Sequence, residues 1–327
     1  MTNNPCLQRV YTLDSNSLAS LSEVSPRDEG FKKYKIAALE AVISLLKKGY
    51  HKYSERMSDC AESLCFGLKL NSAGEYVLKL ISARFCRVRV CPICQWRKSL
   101  MWRARFYNAL PRILRDYPTY RYLFLTLTVR NPPMDELKST VTFMNKAWRK
   151  ITKRKSFPAV GWLKSLEITK GRDGNPHPHF HVVLMVPSSY FCGKNYLSQK
   201  EWCKLWKSSL GIDYKPHVNI KAVRSKMGDS EDSIAKYTNE IKKALCYTLK
   251  YSTKDEHIIT EPDWLDGMIQ QLHRTRMFAL GGVFKNYLSS EDPENLIKSD
   301  GSPDELLPNE DKFWCYWFES IKDYQFS

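Results

Sequence analysis

Three groups of residues in this 327-residue sequence have types and spacings suited to chemistry. The first lies in Asn175-Pro176-His177-Pro178-His179-Phe180-His181-Val182-Val183-Leu184-Met185-Val186. A buried strand here repeats every two residues, so His179 and His181 share one face while Phe180 and Val182 point into a core. Two imidazoles on a rigid strand make half of a divalent-metal site, and a neighbouring strand can supply the rest. That neighbour is Trp162-Leu163-Lys164-Ser165-Leu166-Glu167-Ile168-Thr169, joined through the hairpin turn Gly171-Arg172-Asp173-Gly174-Asn175. Glu167 is its metal ligand by type, and His177, ahead of the strand, is a weaker candidate.

The second group is made of cysteines. Cys91-x-x-Cys94 can bite one tetrahedral ion, and a second pair from a separate segment closes the site. Cys86 and Cys60 supply that pair best, with Cys65 competing for the place of Cys60. A site of four thiolates serves stability rather than catalysis, and zinc is the ion expected. The third group is Tyr247, Tyr251 and Lys254, which share one face of a helix over Glu231–Lys254. A tyrosine can attack phosphorus, and a lysine beside it can steady the phenolate or the phosphate. Two tyrosines packing as ordinary amphipathic residues is the other reading of the same spacing.

The elements that must position these groups follow from pattern. Residues 1 to about 30 lack periodicity and are expected to be loose. Helices are expected over Phe31–Arg56, from Gln95 to Arg105 with a basic face, over Asp135–Lys155 with a basic end, over Ser198–Leu210, and from Glu261 to about Tyr287, ending at Gly281-Gly282. Ser198 with Glu201 forms a capping box. Further strands are expected at Glu75–Ile81, Tyr120–Val129 and His217–Val223. Strands in hairpins interleaved with helices predict an α+β fold, an antiparallel sheet with helices on one side. The expected organisation is an N-terminal tail and helix (1–57), a cysteine-rich zinc-binding segment with a basic helix (58–115), a catalytic domain (116–287) and a peripheral acidic tail (288–327).

Fifty-one Lys and Arg against thirty-five Asp and Glu give a net charge of +16. Arg84 to Arg115 holds nine basic residues and no acidic one, whereas Glu291 to Ser327 holds ten acidic and three basic residues. This field suits a polyanion, and with aromatics among the cations it points to nucleic acid. Arg84, Arg87, Arg89, Arg97, Lys98 and Arg103, with Lys150 and Lys153 further on, are the candidate DNA contacts. Without a bilayer-length apolar run or a signal-like start, a cytoplasmic protein with no membrane partner is expected, and its ten cysteines as thiols or metal ligands. No Gly-x-x-x-x-Gly-Lys-Ser/Thr phosphate loop is present, which excludes a motor of that type.

Phe124-Leu125-Thr126-Leu127-Thr128, then His177-Pro178-His179-Phe180-His181, then Tyr247-x3-Tyr251-x2-Lys254 stand in an order that resembles the rolling-circle replication initiator (Rep) proteins of small bacterial plasmids, within the HUH endonuclease superfamily. Cys60 and Phe85-Cys86-Arg87-x-Arg89-x-Cys91-Pro92-x-Cys94-x-Trp96-Arg97 resemble the cysteine-rich segment of the same group. The resemblance covers about residues 58 to 285. It implies an HUH-like antiparallel sheet, Mg2+ or Mn2+ at His179 and His181 with Glu167 as third ligand, and Tyr251 as nucleophile. It further implies nicking and rejoining of origin DNA, single-stranded or extruded, through a 5′-phosphotyrosine, alongside a host helicase and polymerase. Many relatives carry glutamate where Tyr247 stands, and this departure resembles the two-tyrosine initiators of phages and transposons. A two-tyrosine transposase and a non-catalytic zinc-containing DNA-binding regulator are the competing expectations.

Overall fold

The computed structural model describes residues 19–70, 74–223, 231–249, 260–288, 297 and 312–327. Tyr251 and Lys254 lie outside these described residues. In chain order the strands are β1 (Ser63–Leu70), β2 (Tyr76–Ala83), β3 (Arg121–Thr128), β4 (Gly161–Lys170), β5 (Pro176–Val186), β6 (Val218–Ala222), β7 (Phe278–Gly282), β8 (Phe313–Phe318) and β9 (Asp323–Phe326). The principal helices are α1 (Gly30–Lys47), α2 (His51–Ser58), α3 (Pro92–Asp116), α4 (Leu137–Thr152), α5 (Gln199–Leu210), α6 (Glu231–Thr248) and α7 (Pro262–Gln271). No described helix is long and apolar enough to cross a membrane.

The chain divides into two compact units, Met1–Met101 with Glu256–Asp266 and Glu294–Ser327, and Trp102–Asp255 with Gly267–Pro293. In the first, the sheet order is β2-β1-β8-β9, every pair antiparallel. The stretch expected to be a peripheral acidic tail thus ends in two strands. Their apolar side alternates, with Phe313, Cys315 and Trp317 buried and Trp314, Tyr316 and Phe318 exposed, and burial of that side outweighs the surrounding acidic charge. The single helix expected over Phe31–Arg56 is two, because Gly49 takes φ +76 and the chain turns there.

The second unit is built on a sheet of order β6-β3-β5-β4-β7, again antiparallel throughout. β5 is central and almost wholly buried, as its apolar run requires. Helices cover both faces rather than one: Ser165 Oγ donates to the Thr248 carbonyl at the end of α6, while adjacent Lys164 donates to Asn145 of α4. On the α4 side Trp206 of α5 packs on Phe180, and Trp148 packs edge-on against Trp162. Each such ring is worth a few kcal/mol of burial, of order 2–3. The long helix expected from Glu261 is also two pieces, α7 and then β7, which pairs with the outer edge of β4. Glycine is needed at Gly281, where a Cβ would meet the Trp162 ring at 2.0 Å, and at Gly282, with φ +60.

Candidate active site

The β4–β5 register sets Glu167 opposite His179 and Ser165 opposite His181, so carboxylate and imidazoles converge on the face that α6 covers. Glu167 Oε2 lies 2.9 Å from His179 Nε2 and 2.6 Å from His181 Nε2, with all three residues buried. Burial opposes a charge on Glu167, but the bonds and charges of the two histidines outweigh it and hold the carboxyl far below the usual range. His179 donates its Nδ1–H to the His177 carbonyl at 3.1 Å, which leaves neutral His179 presenting an Nε2 lone pair to a carboxylate oxygen. Only a proton on the ring or a cation among the three groups relieves that repulsion. Bonds of about 2.1 Å to one hard divalent ion keep ligand atoms within about 4.2 Å of one another, and Glu167 Oε2 lies within 2.9 Å of both imidazole nitrogens, so the donor set fits a metal.

Neighbouring side chains fix this cluster. Thr126 of β3, directly opposite His181, brings Oγ1 to 3.3 Å from its Nδ1. Phe124 stacks on the His181 ring at 5.6 Å and 21°. Tyr247 stands edge-on to both, 5.1 Å from the His181 ring and 5.0 Å from Phe124, and is 44% exposed, so its hydroxyl-bearing ring is both at the cluster and open to solvent. His177 is not in the converging group. Its Nδ1–H donates to Asn131 at 2.6 Å, and burial followed by the neighbouring His179 lowers its pKa.

The thiol cluster lies in the first unit. Sγ–Sγ distances of 3.6 Å separate Cys60 from Cys94, Cys86 from Cys94, and Cys91 from Cys60. Bonds of about 2.3 Å to a tetrahedral zinc place sulfurs about 3.8 Å apart, whereas a disulfide needs about 2.05 Å, so the arrangement fits an ion and not a bond. Arg87 takes φ +57 and turns its own N–H onto the Cys94 sulfur, and Val88 N–H reaches that of Cys86. Burial and the neighbouring sulfurs push the Cys91 thiol up, while hydrogen bonds from the other three hold Cys86 down. Cys65 stands apart, on β1 opposite Trp314 and Ser82.

Two cations that no cysteine motif marks support the thiol cluster. Lys35 is fully buried and donates to the carbonyls of Ser58 and Cys60 and to Glu62, and Arg56 donates to the Cys86 carbonyl. Both cations sit on helices with no cysteine, so nothing in the cysteine spacing points to them. Thr126, by contrast, was findable, since alternation along β3 puts it on the histidine face.

Arg97 is a correction to the expected DNA surface. It is 1% exposed, lies near the rings of Phe31, Phe85 and Trp96, and donates to the Ile297 carbonyl at 2.6 Å. Helical periodicity in α3 turns it inward, where aromatic faces compensate its charge. Arg103 is half-buried against Cys246, at 3.8 Å, and burial pushes Arg89 down to about 10. Arg84, Arg87, Lys150 and Lys153 are exposed and Lys98 half-buried.

An antiparallel sheet carrying a buried carboxylate–dihistidine cluster in one unit and four convergent thiols in the other defines a basic protein with two candidate metal sites. Residues 77–325 match the profile of a family described as "Replication protein". The chain is 34% identical over 295 residues to Protein rep of Bacillus amyloliquefaciens, covering 84% of this chain and 85% of that one. It is 30% identical over 292 residues to Protein rep of Streptococcus pneumoniae serotype 2 (86% and 87% covered), and 36% over 241 residues to Protein rep of Lactiplantibacillus plantarum (70% and 74%). No solved structure matches the chain. The chain belongs to the replication protein family, that of the plasmid rolling-circle Rep proteins.

Proposed function

We propose that this chain initiates plasmid rolling-circle replication as a metal-dependent, site-specific nickase and ligase of origin DNA. The observation that carries the reading is the convergence of Glu167, His179 and His181 on one strand pair, with Tyr247 against His181. These three would hold Mg2+ or Mn2+, which when bound supplies Lewis-acid polarisation and orientation of the scissile phosphate. Tyr251 is the nucleophile, as the resemblance of Tyr251-x2-Lys254 to the family's tyrosine motif implies. Its phenol oxygen bonds to phosphorus and sheds its proton to solvent. The bond from phosphorus to O3′ breaks, and the departing oxygen takes a proton to become the 3′-OH that primes synthesis. The 5′-phosphotyrosine keeps the energy of the broken ester, so rejoining needs no ATP. Lys254 steadies the phenolate and the phosphate, and Tyr247 takes the second strand.

Cys60, Cys86, Cys91 and Cys94 hold a structural zinc. Arg84, Arg87, Lys98, Lys150 and Lys153 provide salt-sensitive contacts to the DNA backbone, with the single-stranded or extruded origin as substrate. A host helicase and polymerase follow from this role. The transposase reading shares the chemistry, but the relatives' names favour replication. A regulator without catalysis has no use for a carboxylate buried between two histidines. Incubating the purified chain with a labelled single-stranded origin oligonucleotide tests the proposal on a denaturing gel. A covalent adduct should form with Mg2+ or Mn2+ and vanish in excess EDTA and in Tyr251→Phe. Undiminished nicking in EDTA would overturn it.

A further inference from the structure

A cavity of about 960 Å3 opens beside the metal cluster, between the edge strand β6, the last turns of α6 and the segment 188–197. Its floor continues the histidine face. Asn219 of β6 lies opposite Thr126, which lies opposite His181, so the three form one row across adjacent strands. At about 4.8 Å per strand, Asn219 stands about 10 Å from the His181 position. The next row sets Lys221 opposite Phe124. Phe124 and Tyr247 touch His181 and also line the cavity, so cluster and cavity share a wall.

The lining has the chemistry of a seat for unpaired bases. Phe191 and Tyr196 are 41% and 51% exposed, although large rings are costly to leave in water. Neither hangs on a loose loop. Both pack on Tyr190, which is buried, donates to the Leu197 carbonyl at 2.9 Å and accepts from Trp202 at 3.1 Å. Asn219 and Lys221 make no side-chain hydrogen bond or ion pair among the described residues, whereas Lys243 is paired with Glu240. The floor thus offers an amide for a base edge, a cation for a phosphate and two fixed aromatic faces, and it has room for more than one nucleotide.

We propose that this cavity holds the unpaired bases flanking the scissile phosphate, with Phe191 and Tyr196 as stacking platforms, Lys221 on the backbone and Asn219 as a sequence-reading group. The proposal rests on the nickase reading above and deepens it, since it gives the enzyme a means of choosing where to cut. The bases must be unpaired, because a duplex keeps its base faces stacked and cannot offer them to protein rings.

Binding is measured by fluorescence anisotropy on the full chain without added Mg2+ or Mn2+, so that chemistry plays no part, with labelled dT12, dA12 and a duplex of equal length. The double variant Phe191→Ala/Tyr196→Ala should weaken single-strand binding roughly tenfold or more, as lost base stacking does, and leave duplex binding unchanged. Phe191→Tyr/Tyr196→Phe, which keeps both rings, should bind as the parent. Asn219→Ala should alter the ratio of dA12 to dT12 affinity and blur the cut position on an origin strand. Parent-like single-strand binding by the double alanine variant, with a parent-like melting curve, would overturn the proposal. So would dTMP competing as tightly as dT12, which would make the cavity a mononucleotide site, or equal loss of duplex binding, which would mean a backbone-only surface. A parent that nicks while the variants bind normally sinks this inference alone. Variants that bind weakly while the parent never nicks sink the nickase reading alone.

Discussion

Ser165 Oγ lies 2.5 Å from the carbonyl oxygen of Thr248, so the residue opposite His181 in the β4–β5 register holds the end of the helix that carries Tyr247. The carboxylate–dihistidine cluster and the helix are thereby one mechanical piece. Ser165→Ala leaves a buried carbonyl without its donor and should cost about 1–3 kcal/mol. Adduct formation should slow while Mn2+ affinity, measured by calorimetry, stays within about threefold. Unchanged adduct rates would show that α6 keeps its place without this bond.

His181→Ala and Glu167→Gln should abolish nicking of a labelled origin strand yet leave its binding intact, because affinity comes from the salt-sensitive basic surface. Anisotropy and denaturing gels separate the two effects. Retained cleavage in either variant would remove the triad from the chemistry.

The purified chain should contain about one zinc. Cys60→Ala and Cys94→Ser should lose it and melt at lower temperature, since metal binding here is folding energy. Cys65→Ser should keep it, as that thiol is held in β1 away from the other four. Elemental analysis decides, and a zinc-free parent of normal stability would end the assignment.

Burial pushes the Lys164 ammonium down to about 7 from 10.5, against the Phe180 ring at 3.6 Å and with Asn145 as its hydrogen-bond partner. Between those two values the folded chain binds fewer protons here than the unfolded chain. Stability therefore rises with pH across that window, by at most about 1.4 kcal/mol per pH unit, and the penalty is complete below pH 7. Lys164→Met should flatten this slope in urea titrations at pH 7.5 and 9.5. Parallel slopes in parent and variant would show that the ammonium is solvated.

Tyr251→Phe should abolish the covalent adduct. Tyr247→Phe should permit the first cut and impair termination or strand transfer, since a phenol is a poor general base for activating water and is better suited to transesterification. Complete rounds at the parent rate in Tyr247→Phe would reduce that ring to packing, and a carboxylate such as Glu240 would have to release the product.

The triad was legible because a two-residue repeat on β5 and a glycine-marked turn leave one possible face and one possible neighbour. The choice between Cys60 and Cys65 was not, because it depends on β1, one of whose two pairing partners, β8, lies some 250 residues away. β7 was hidden by Gly281-Gly282, which reads as the end of a helix and is in fact what lets a strand pass Trp162. Arg97 looked like one cation among nine until helical rotation buried it. Supports such as Lys35 and Arg56 act through backbone carbonyls, which carry no residue-type signal.

The pairing of β1 with β8 also sets an order of events during synthesis. The four cysteines emerge within 35 residues of one another, so the thiol cluster can assemble early. The sheet beside them stays open until Phe313–Phe326 has been made, and at roughly 5–20 residues per second that delay is tens of seconds. During that interval β1 presents an unpaired edge to the cell, and the edge is covered only when β8 arrives to pair with it.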